Sequence, residues 1–333
     1  MALPLFWAAP VAAQKTDIVV LINGDRITCE VKQLNRGRLE VKTDDAGTLQ
    51  IEWTKIASVT AKLFFDVGTA DGRRYVGSLA PGANGKVAIL APTGDTVVEL
   101  SVFEIVSLAQ IQSSFFRRLD GAVNLGASYT QSSGVFQISF DGKVEYRRPS
   151  FVAFSSVLAG LTEQENEPST SRYAVQAGFQ KFRPNRWVVA PFGLFESNPD
   201  LGFDSRSTGA INIGRYLLQS NGGWLLLGAG AGAGRENPVD GDDVTNIDAL
   251  IALNASRFTY DYPKISLDFA TLVFPSLNDL GRVRINMNLA YSRELIRDFN
   301  LTMTAYNSYD NRPPTAGASK NDVGFSLALG WTF

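Results

Sequence analysis

From about residue 121 to the end of the chain, apolar and polar residues alternate over long stretches. In residues 282–293 the odd positions, from Val283 to Tyr291, are apolar or aromatic, and most even positions are polar. Residues 136–147 and 299–308 show the same alternation. A period of two gives a strand one apolar and one polar face. Such strands are longer than the roughly 5–6 residues of soluble sheets and match the about 9–11 residues that cross a bilayer. The pattern therefore predicts membrane-spanning β-strands.

The breaks between these strands alternate between short turns and longer loops, which is typical of outer-membrane barrels with periplasmic turns. Only a closed barrel satisfies every backbone polar group in lipid. We therefore predict an all-β fold, with a 12-stranded antiparallel transmembrane barrel over residues 115–333 and both termini in the periplasm. The short turns are residues 147–150, 183–186, 219–222, 260–263 and 294–297; the alternate breaks are 131–134, 163–170, 198–204, 236–243, 275–281 and 310–320.

Several aromatic residues are expected at one membrane–water boundary, where amphipathic rings are favoured. Trp187 and Trp224 follow predicted periplasmic turns, and Tyr260 and Tyr262 lie in one. Trp331 lies two residues before the end of the chain. Together these residues predict an aromatic girdle on the periplasmic side of the barrel.

The last strand alternates large apolar residues with small or polar ones and stops on an aromatic residue. Such an ending is similar to the C-terminal signal that the outer-membrane insertion machinery reads, which makes that machinery an expected partner. In a soluble protein the same segment would be an ordinary C-terminal strand. The predicted signal consists of Phe325, Leu327, Leu329, Trp331 and Phe333.

Charged residues on the polar faces of the predicted strands point into the predicted lumen. Mixed charges across a lumen can select permeating solutes, or they can brace a closed barrel, and the sequence leaves both interpretations open. The candidate lumen charges are Asp141, Lys143, Glu145, Lys264, Asp268, Arg282 and Arg284.

Residues 17–110 contain a weak internal repeat of about 48 residues. Gly24 of the first copy matches Gly72 of the second, and each belongs to a hairpin signal, Asn23-Gly24 or Asp71-Gly72. The repeat predicts a tandem pair of small SH3-like or Sm-like β modules over residues 14–114, placed in the periplasm. A spacer or docking role toward a periplasmic protein or the cell wall, and specific ligand binding, both stay open.

The first residues combine a short apolar run with small residues at positions 11 and 13. This arrangement resembles a secretory signal peptide over residues 1–13, cleaved after Ala13. The alternative is an apolar N-terminus without a targeting role.

Composition excludes several classes of function. The net charge is −2, from 31 basic and 33 acidic residues, so nucleic acid is not an expected partner. The chain has no histidine, which removes Ser-His catalysis and imidazole metal sites. Its single cysteine, Cys29, rules out an intrachain disulfide. We therefore predict a protein that is not an enzyme and has no cofactor.

Two further segments suggest ligand sites and are better explained as structure. The run of glycine and alanine over residues 228–234 resembles a dinucleotide fingerprint, but Pro238 and Gly241 follow it where such a fingerprint must open a helix. Asp240, Asp242 and Asp243 could bind Ca²⁺, although their spacing is not that of an EF-hand, and a solvated acidic loop is the simpler interpretation.

Two segments resemble the salt-induced outer-membrane protein family, long catalogued as a domain of unknown function. One is the opening at residues 23–26 with Gly47, Ile51 and Trp53 downstream, and the other is the closing hairpin at residues 309–314, 320–322 and 329–333. The resemblance implies an outer-membrane barrel and implies no catalytic residues.

The sequence as a whole predicts a non-enzymatic envelope or stress-related protein in a Gram-negative-type outer membrane. Its surroundings would be outer-membrane lipid and lipopolysaccharide. The alternative function is a passive, porin-like channel for small solutes, because a 12-stranded lumen is wide enough for a small channel when nothing fills it.

Overall fold

The structure, a computed structural model, describes residues 15–111, 119–130, 135–148, 150–164, 169–296, 299–315 and 317–331. Within these ranges the fold is all-β, with short 3-10 turns between some strands. None of the described residues form a helix that is long and apolar enough to cross a membrane. The strands form two sheets, one from each part of the chain. The predicted signal peptide, residues 1–13, lies outside the described residues.

The N-terminal sheet, here called the N-terminal domain, contains nine strands in the described ranges. They are β1 (Asp17–Leu21), β2 (Arg26–Asn35), β3 (Arg38–Lys42), β4 (Thr48–Glu52), β5 (Ile56–Thr69), β6 (Arg74–Pro81), β7 (Val87–Leu90), β8 (Thr96–Leu100) and β9 (Ile105–Gln110). The spatial order is β4-β3-β2-β1-β5-β6-β7-β8, and β9 pairs with both β2 and β5.

The predicted repeat corresponds to two sets of five strands that share β5. The first half of β5 pairs with β1, placing Val59 opposite Val19. The second half pairs with β9, placing Val67 opposite Leu108. Because β2 also pairs with β9, through Leu34, the two copies interlock in one sheet. The assignment of either copy to an SH3-like or Sm-like fold stays a prediction.

A single hydrophobic core joins the two copies. Trp53 of the first copy is fully buried, and its indole N–H donates a hydrogen bond to the carbonyl of Val102 in the second at 2.6 Å. Phe65 on the shared strand and Leu108 on β9 belong to the same core. Full burial of one such side chain contributes about 1.5–3 kcal/mol. The shared core predicts that the copies unfold together.

The C-terminal sheet contains twelve strands in the described ranges, each paired with its neighbours in chain order. All of these pairs are antiparallel, as the sequence predicts. The strands are β10 (Leu119–Thr130), β11 (Val135–Arg148), β12 (Phe151–Gln164), β13 (Thr170–Phe182), β14 (Trp187–Asn198), β15 (Phe203–Ser220), β16 (Gly223–Pro238), β17 (Val244–Thr259), β18 (Ile265–Pro275), β19 (Val283–Ile296), β20 (Phe299–Asp310) and β21 (Asn321–Trp331).

The C-terminal sheet curls, so one of its faces is concave. Arg172 on β13 donates a hydrogen bond to the Tyr306 hydroxyl on β20 at 2.7 Å, although these strands lie seven places apart in the sheet. Asn198, at the end of β14, likewise donates to Asp322 on β21. We call the face that carries Arg172 and Tyr306 the concave face and the opposite one the convex face.

Three central strands are longer than a bilayer requires. β15 has 18 residues, and β16 and β17 have 16 each, against about 9–11 for a tilted spanning strand. The predicted loop over residues 236–243 is therefore shorter than expected, because β16 continues to Pro238. The loop between β20 and β21 was predicted to begin at Asp310, but it begins one residue later, because Asp310 is the last residue of β20. Acidic residues were assigned to loops there, yet they complete strands.

Cys29 provides a test of the N-terminal core. Burial, followed by the negative charge of Asp17, raises the pKa of its thiol to about 11 from an ordinary value of 9.0. Since the thiolate is the reactive form, this shift lowers the reactive fraction at neutral pH about 100-fold. We expect a thiol reagent to label the native full-length protein at least that much more slowly than the urea-unfolded chain. Equal labelling rates would contradict the buried position.

Candidate functional site

Charged side chains converge on the concave face at the end of the sheet that carries the longer loops. Arg206 Nε donates to Glu236 Oε2 at 2.5 Å. Arg282 Nη2 donates to Glu236 Oε1 at 2.9 Å and to Asp310 Oδ2 at 2.6 Å. Beside them Arg284 donates to Asp248 Oδ2 at 2.5 Å. No member is more than 8% exposed. We call these six residues the ionic cluster: Arg206, Glu236, Asp248, Arg282, Arg284 and Asp310.

The ionic cluster joins strands that are not neighbours in the sheet. Glu236 lies at the end of β16, whereas Arg282 directly precedes β19. Arg284 on β19 likewise reaches Asp248 on β17, two strands away. The amide oxygen of Asn246 on β17 accepts a further hydrogen bond from Arg282 at 3.2 Å. The cluster therefore ties together the part of the sheet from β15 to β20.

Local sequence makes room for these side chains. Gly232 and Gly234 on β16 lie directly opposite Asp248 and Asn246 on β17. A Cβ atom at Gly234 would lie only 2.2 Å from the carbonyl oxygen of Ser207 on the other neighbouring strand. The glycines of residues 228–234 thus allow close approach of β15 and β16. A strand of small residues, and not a nucleotide-binding turn, is what the structure shows there.

The cluster is electrically balanced, with three arginines and three acids. Attraction within buried pairs roughly offsets the cost of removing the ions from water, so such a cluster fixes geometry more than it adds stability. Losing one partner is costly, because it leaves an uncompensated buried charge. The second carboxylate oxygen of Asp248 has no hydrogen-bond partner among the described residues, so this carboxylate depends on Arg284.

The N-terminal domain docks at the opposite, short-turn end of the C-terminal sheet. Arg36, in the turn between β2 and β3, donates to both carboxylate oxygens of Asp268 at 2.6 and 3.2 Å and to Ser266 at 3.0 Å. Burial alone would lower the pKa of this guanidinium, but the hydrogen bond and charge of Asp268 outweigh it and raise the pKa. Ser256 donates to the same carboxylate at 2.7 Å. Arg36 is therefore a fixed cation at the short-turn end of the concave face.

Further contacts surround Arg36. The Tyr260 hydroxyl donates to the Arg36 carbonyl at 2.7 Å, and the Arg38 guanidinium lies 3.6 Å from the centre of the Tyr260 ring. Asn221, in the turn between β15 and β16, donates to the Ile105 carbonyl at 3.0 Å. Contacts from two turns of the sheet and two elements of the domain fix the domain over the short-turn end.

Two glycines allow this close approach. At Gly37, which has φ +67°, a Cβ would lie 2.2 Å from the Asn221 carbonyl oxygen. At Gly72, which has φ +85°, a Cβ would lie 2.4 Å from the Arg186 backbone nitrogen. Larger residues at either position would combine backbone strain with a collision against the C-terminal sheet. Gly72, the hairpin glycine of the second copy, thus lies in the contact between the N-terminal domain and the C-terminal sheet.

Between the two ends, a cavity of about 600 Å³ lies along the concave face of β16–β21. Its lining combines aromatic rings with neutral polar groups and with the carboxylate that holds Arg36. Thr304 and Ser326 share a hydrogen bond at 2.6 Å on its wall. Lining side chains include Trp224, Asn254, Asp268, Asn288, Thr304 and Tyr306.

The candidate lumen charges separate into several groups. Arg282 and Arg284 join the ionic cluster, and Asp268 binds Arg36. Lys264 pairs with Glu294 at 3.3 Å, near the short-turn end. The register places Lys143 and Glu145 on the concave face of β11, while the side chain of Asp141 lies outside the described residues. Asp268 therefore pairs with a residue of the N-terminal domain and not with Arg282 or Arg284.

The aromatic residues predicted to form one girdle lie in different environments. Trp187 lies on the convex face, 44% exposed, with the Arg215 guanidinium 5.8 Å from its ring centre. Trp224 lies on the concave face opposite Ser256, so its assignment to a lipid-facing girdle is wrong. Tyr260 is also not part of a girdle, since it binds the N-terminal domain. Tyr262 is 64% exposed and donates to the Leu295 carbonyl at 3.3 Å.

The last strand presents an exposed apolar row. Phe325, Leu327 and Leu329 are 63%, 60% and 63% exposed on the convex face of β21. The side chain of Trp331 and all of Phe333 lie outside the described residues. The role of this row as an insertion signal stays a prediction.

Several residues at the two ends of the C-terminal sheet were not predicted from the sequence. Arg36 carries no local signal, because its importance comes from a contact with Asp268 on the other sheet. Glu236 could have been found, since it continues the even positions that the glycines of β16 occupy. Arg206 and Asp248 also occupy even positions of their strands and could have been found in the same way.

Among the described residues, no group of three or more cysteines and acids is arranged to hold a metal ion. Asp243, one of the acids considered for Ca²⁺, instead accepts a hydrogen bond from Arg235 Nε at 2.7 Å.

Comparison with known proteins gives one match. A family model described as "Protein of unknown function, DUF481" matches residues 121–333. No curated protein and no solved structure matches the chain significantly. The matched range covers the C-terminal sheet except the first residues of β10, and it leaves out the N-terminal domain.

Glu236→Gln tests the ionic cluster. It removes one negative charge between Arg206 and Arg282, so we expect the free energy of unfolding to fall by about 3 kcal/mol. Urea unfolding of the full-length protein in lipid vesicles measures the change. The control is Asp243→Asn, which removes the exposed partner of Arg235 and should cost at most about 1 kcal/mol. Equal effects of the two changes would contradict a bracing role.

Asp268→Asn tests the docking of the N-terminal domain. Loss of the half-exposed pair with Arg36 should cost about 1 kcal/mol, which corresponds to roughly fivefold faster labelling of Cys29 through opening of the domain. Arg36→Ala should have a similar effect, and the double variant should label little faster than either single variant. Fully additive effects would show that the two residues act independently.

Proposed function

Since the chain belongs to the DUF481 family, whose function is unknown, we propose a role from its own architecture. The C-terminal sheet closes into a twelve-stranded barrel in the outer membrane, with the N-terminal domain in the periplasm. The protein is a non-enzymatic structural component of the envelope and is closed to solutes. This role fits the resemblance to salt-induced outer-membrane proteins.

The observation that carries this proposal is the exposed apolar convex face. Large apolar side chains there are 37–74% exposed and extend over most strands of the sheet. A contiguous apolar surface of this extent is unusual in soluble proteins and suits contact with lipid. It includes Val123, Leu125, Tyr129, Val144, Tyr173, Val175, Phe179, Phe195, Ile211, Ile213, Leu227, Ile247, Ile251, Val323, Phe325, Leu327 and Leu329.

The orientation follows from the contacts of the N-terminal domain. Short turns of outer-membrane barrels face the periplasm and long loops face the exterior. The N-terminal domain contacts the turns at Arg186, Asn221 and Tyr260. The domain would therefore lie in the periplasm, where it is available to periplasmic proteins or the cell wall, while the long loops would meet lipopolysaccharide.

A closed barrel is favoured over a pore because both ends of the concave face are occupied. The ionic cluster lies at the long-loop end, and Arg36 enters the short-turn end. Both groups consist of side chains held by several hydrogen bonds, so a solute would have to break them to pass.

The second candidate, a passive channel, is favoured by the cavity of about 600 Å³ between the two ends. Its polar wall would be hydrated, and movement of the N-terminal domain would open one side of it. In this case the ionic cluster would act as a constriction and not as a closure.

Conductance in planar bilayers separates the two functions. We expect the full-length protein to insert and to give no discrete current steps at moderate voltage. Insertion is checked separately by the heat-dependent mobility that folded barrels show on detergent gels. Regular current steps from the unmodified protein would favour the channel. A purified protein that stays soluble without detergent would overturn the membrane assignment itself.

A further inference from the structure

We propose that the convex face carries a cationic belt at the short-turn end, and that this belt binds the phosphate headgroups of anionic phospholipids in the periplasm-facing leaflet. The inference rests on the proposed outer-membrane function and adds the chemistry of the lipid. The belt consists of Arg148, Lys181, Arg215, Arg257 and Arg293.

The belt follows from the direction of the strands and from the alternation of residues between their two faces. β11, β13, β15, β17 and β19 all run toward the short turns, and each has one basic residue on its convex face within five residues of its end. All five side chains are exposed. Five strands thus place a cation at a similar level around the sheet, which no single strand would reveal.

Toward the long loops, the next residue on the convex face after each cation is apolar or aromatic; on β15 and β19 the exposed Leu217 and Leu295 also lie on the turn side of the cation. On β13, Lys181 is followed on the same face by Phe179 and then Ala177 and Val175. On β19, Arg293 is followed by Tyr291. Such a boundary is where the phosphate layer of a bilayer meets its hydrocarbon core. Long basic side chains at this level can place their charge among the headgroups.

The cations are free to bind an external anion. Lys181, Arg257 and Arg293 form no side-chain hydrogen bond or ion pair with the described residues. Arg148 and Arg215 use single nitrogens to contact the Tyr146 hydroxyl and the Asn185 carbonyl, and neither pairs with an acid in the described ranges. Among the described residues, no acid therefore compensates the positive charge of the belt.

The opposite end of the convex face lacks this arrangement. Within the described strands, Arg235 is the basic residue on the convex face near the long loops, and it is paired with Asp243. Glu163 on β12 adds a negative charge at that end. The two rims thus differ in charge, and the difference selects phospholipid phosphate at the short-turn side. Arginine suits this ligand because its planar fork donates two parallel hydrogen bonds to phosphate oxygens.

The test measures lipid retention by the full-length protein in mixed micelles. Native mass spectrometry gives the ratio of bound phosphatidylglycerol to bound phosphatidylcholine at equal lipid concentrations. The variant K181Q/R257Q/R293Q removes three cations that have no partners in the described structure, so folding should be unchanged. Because these three cations have no competing partner among the described residues, we expect the ratio to fall at least about tenfold.

The matched control is K42Q/K62Q/K86Q, which removes the same charge from exposed positions of the N-terminal domain. It should keep the preference of the unmodified protein. A preference that the belt variant retains, or that the control loses equally, would overturn the inference. Retention of lipopolysaccharide in place of phosphatidylglycerol by these five residues would overturn it as well.

Failure of the lipid inference is distinguishable from failure of the proposed function. Heat-dependent gel mobility of the belt variant and the unmodified protein in phosphatidylcholine vesicles reports whether a barrel inserts at all. Insertion without any preference for the anionic lipid refutes only the belt. Absence of insertion for the unmodified protein refutes the proposed outer-membrane function.

Discussion

The structure depends on the alternation of faces along its C-terminal strands. From β11 to β20 each strand pairs with a neighbour on both sides, so the backbone there is satisfied within the sheet and only the side chains determine what each face contacts. Between its charged rims the convex face is apolar and exposed, so buried charges are held on the concave face. Charges such as Arg206 and Glu236 are confined to the concave side because a single-residue shift in register would turn them toward the apolar surface.

This constraint explains why the concave face is filled differently along its length. At the long-loop end, β15–β17 continue beyond the length that crosses a bilayer, and their extra residues supply acids and an arginine. Those charges neutralise one another across strands that are not adjacent, which fixes the curvature of the sheet at that end. At the short-turn end, the sheet contributes Asp268 and receives its counter-ion from the N-terminal domain through Arg36. The middle keeps a cavity, which is lined mainly by neutral side chains together with the Asp268 carboxylate, and the Arg172 side chain reaches Tyr306 there.

The periodicity of the sequence was sufficient to predict the strands, their antiparallel order and most of the turns, because a period of two is a local property. It was insufficient for the partners of the charges. Glu236 and Asp310 resembled loop acids, although both lie in strands and bind Arg282, which is distant in sequence. Trp224 shows the reverse error: proximity to a turn suggested a girdle, whereas its even position, shared with Leu226 and Gly228, places it on the concave face. The odd or even position of a residue along its strand was the stronger signal for the face it occupies, and its distance from a turn was the weaker one.

The repeat in the N-terminal domain gains its meaning from the docking surface. The two copies are alike in strand order, yet Gly24 of the first hairpin has open space around it, whereas Gly72 of the second lies against Arg186 of the C-terminal sheet. Duplication therefore produced one hairpin for docking and left its counterpart exposed to solvent. Because the copies share β5 and a single core that includes Trp53, the docked hairpin and the turn that carries Arg36 belong to one rigid unit. Two separate modules joined by a flexible linker would position Arg36 far less accurately. The fusion of the two copies therefore allows Arg36 of the N-terminal domain to bind Asp268 at the short-turn end of the C-terminal sheet.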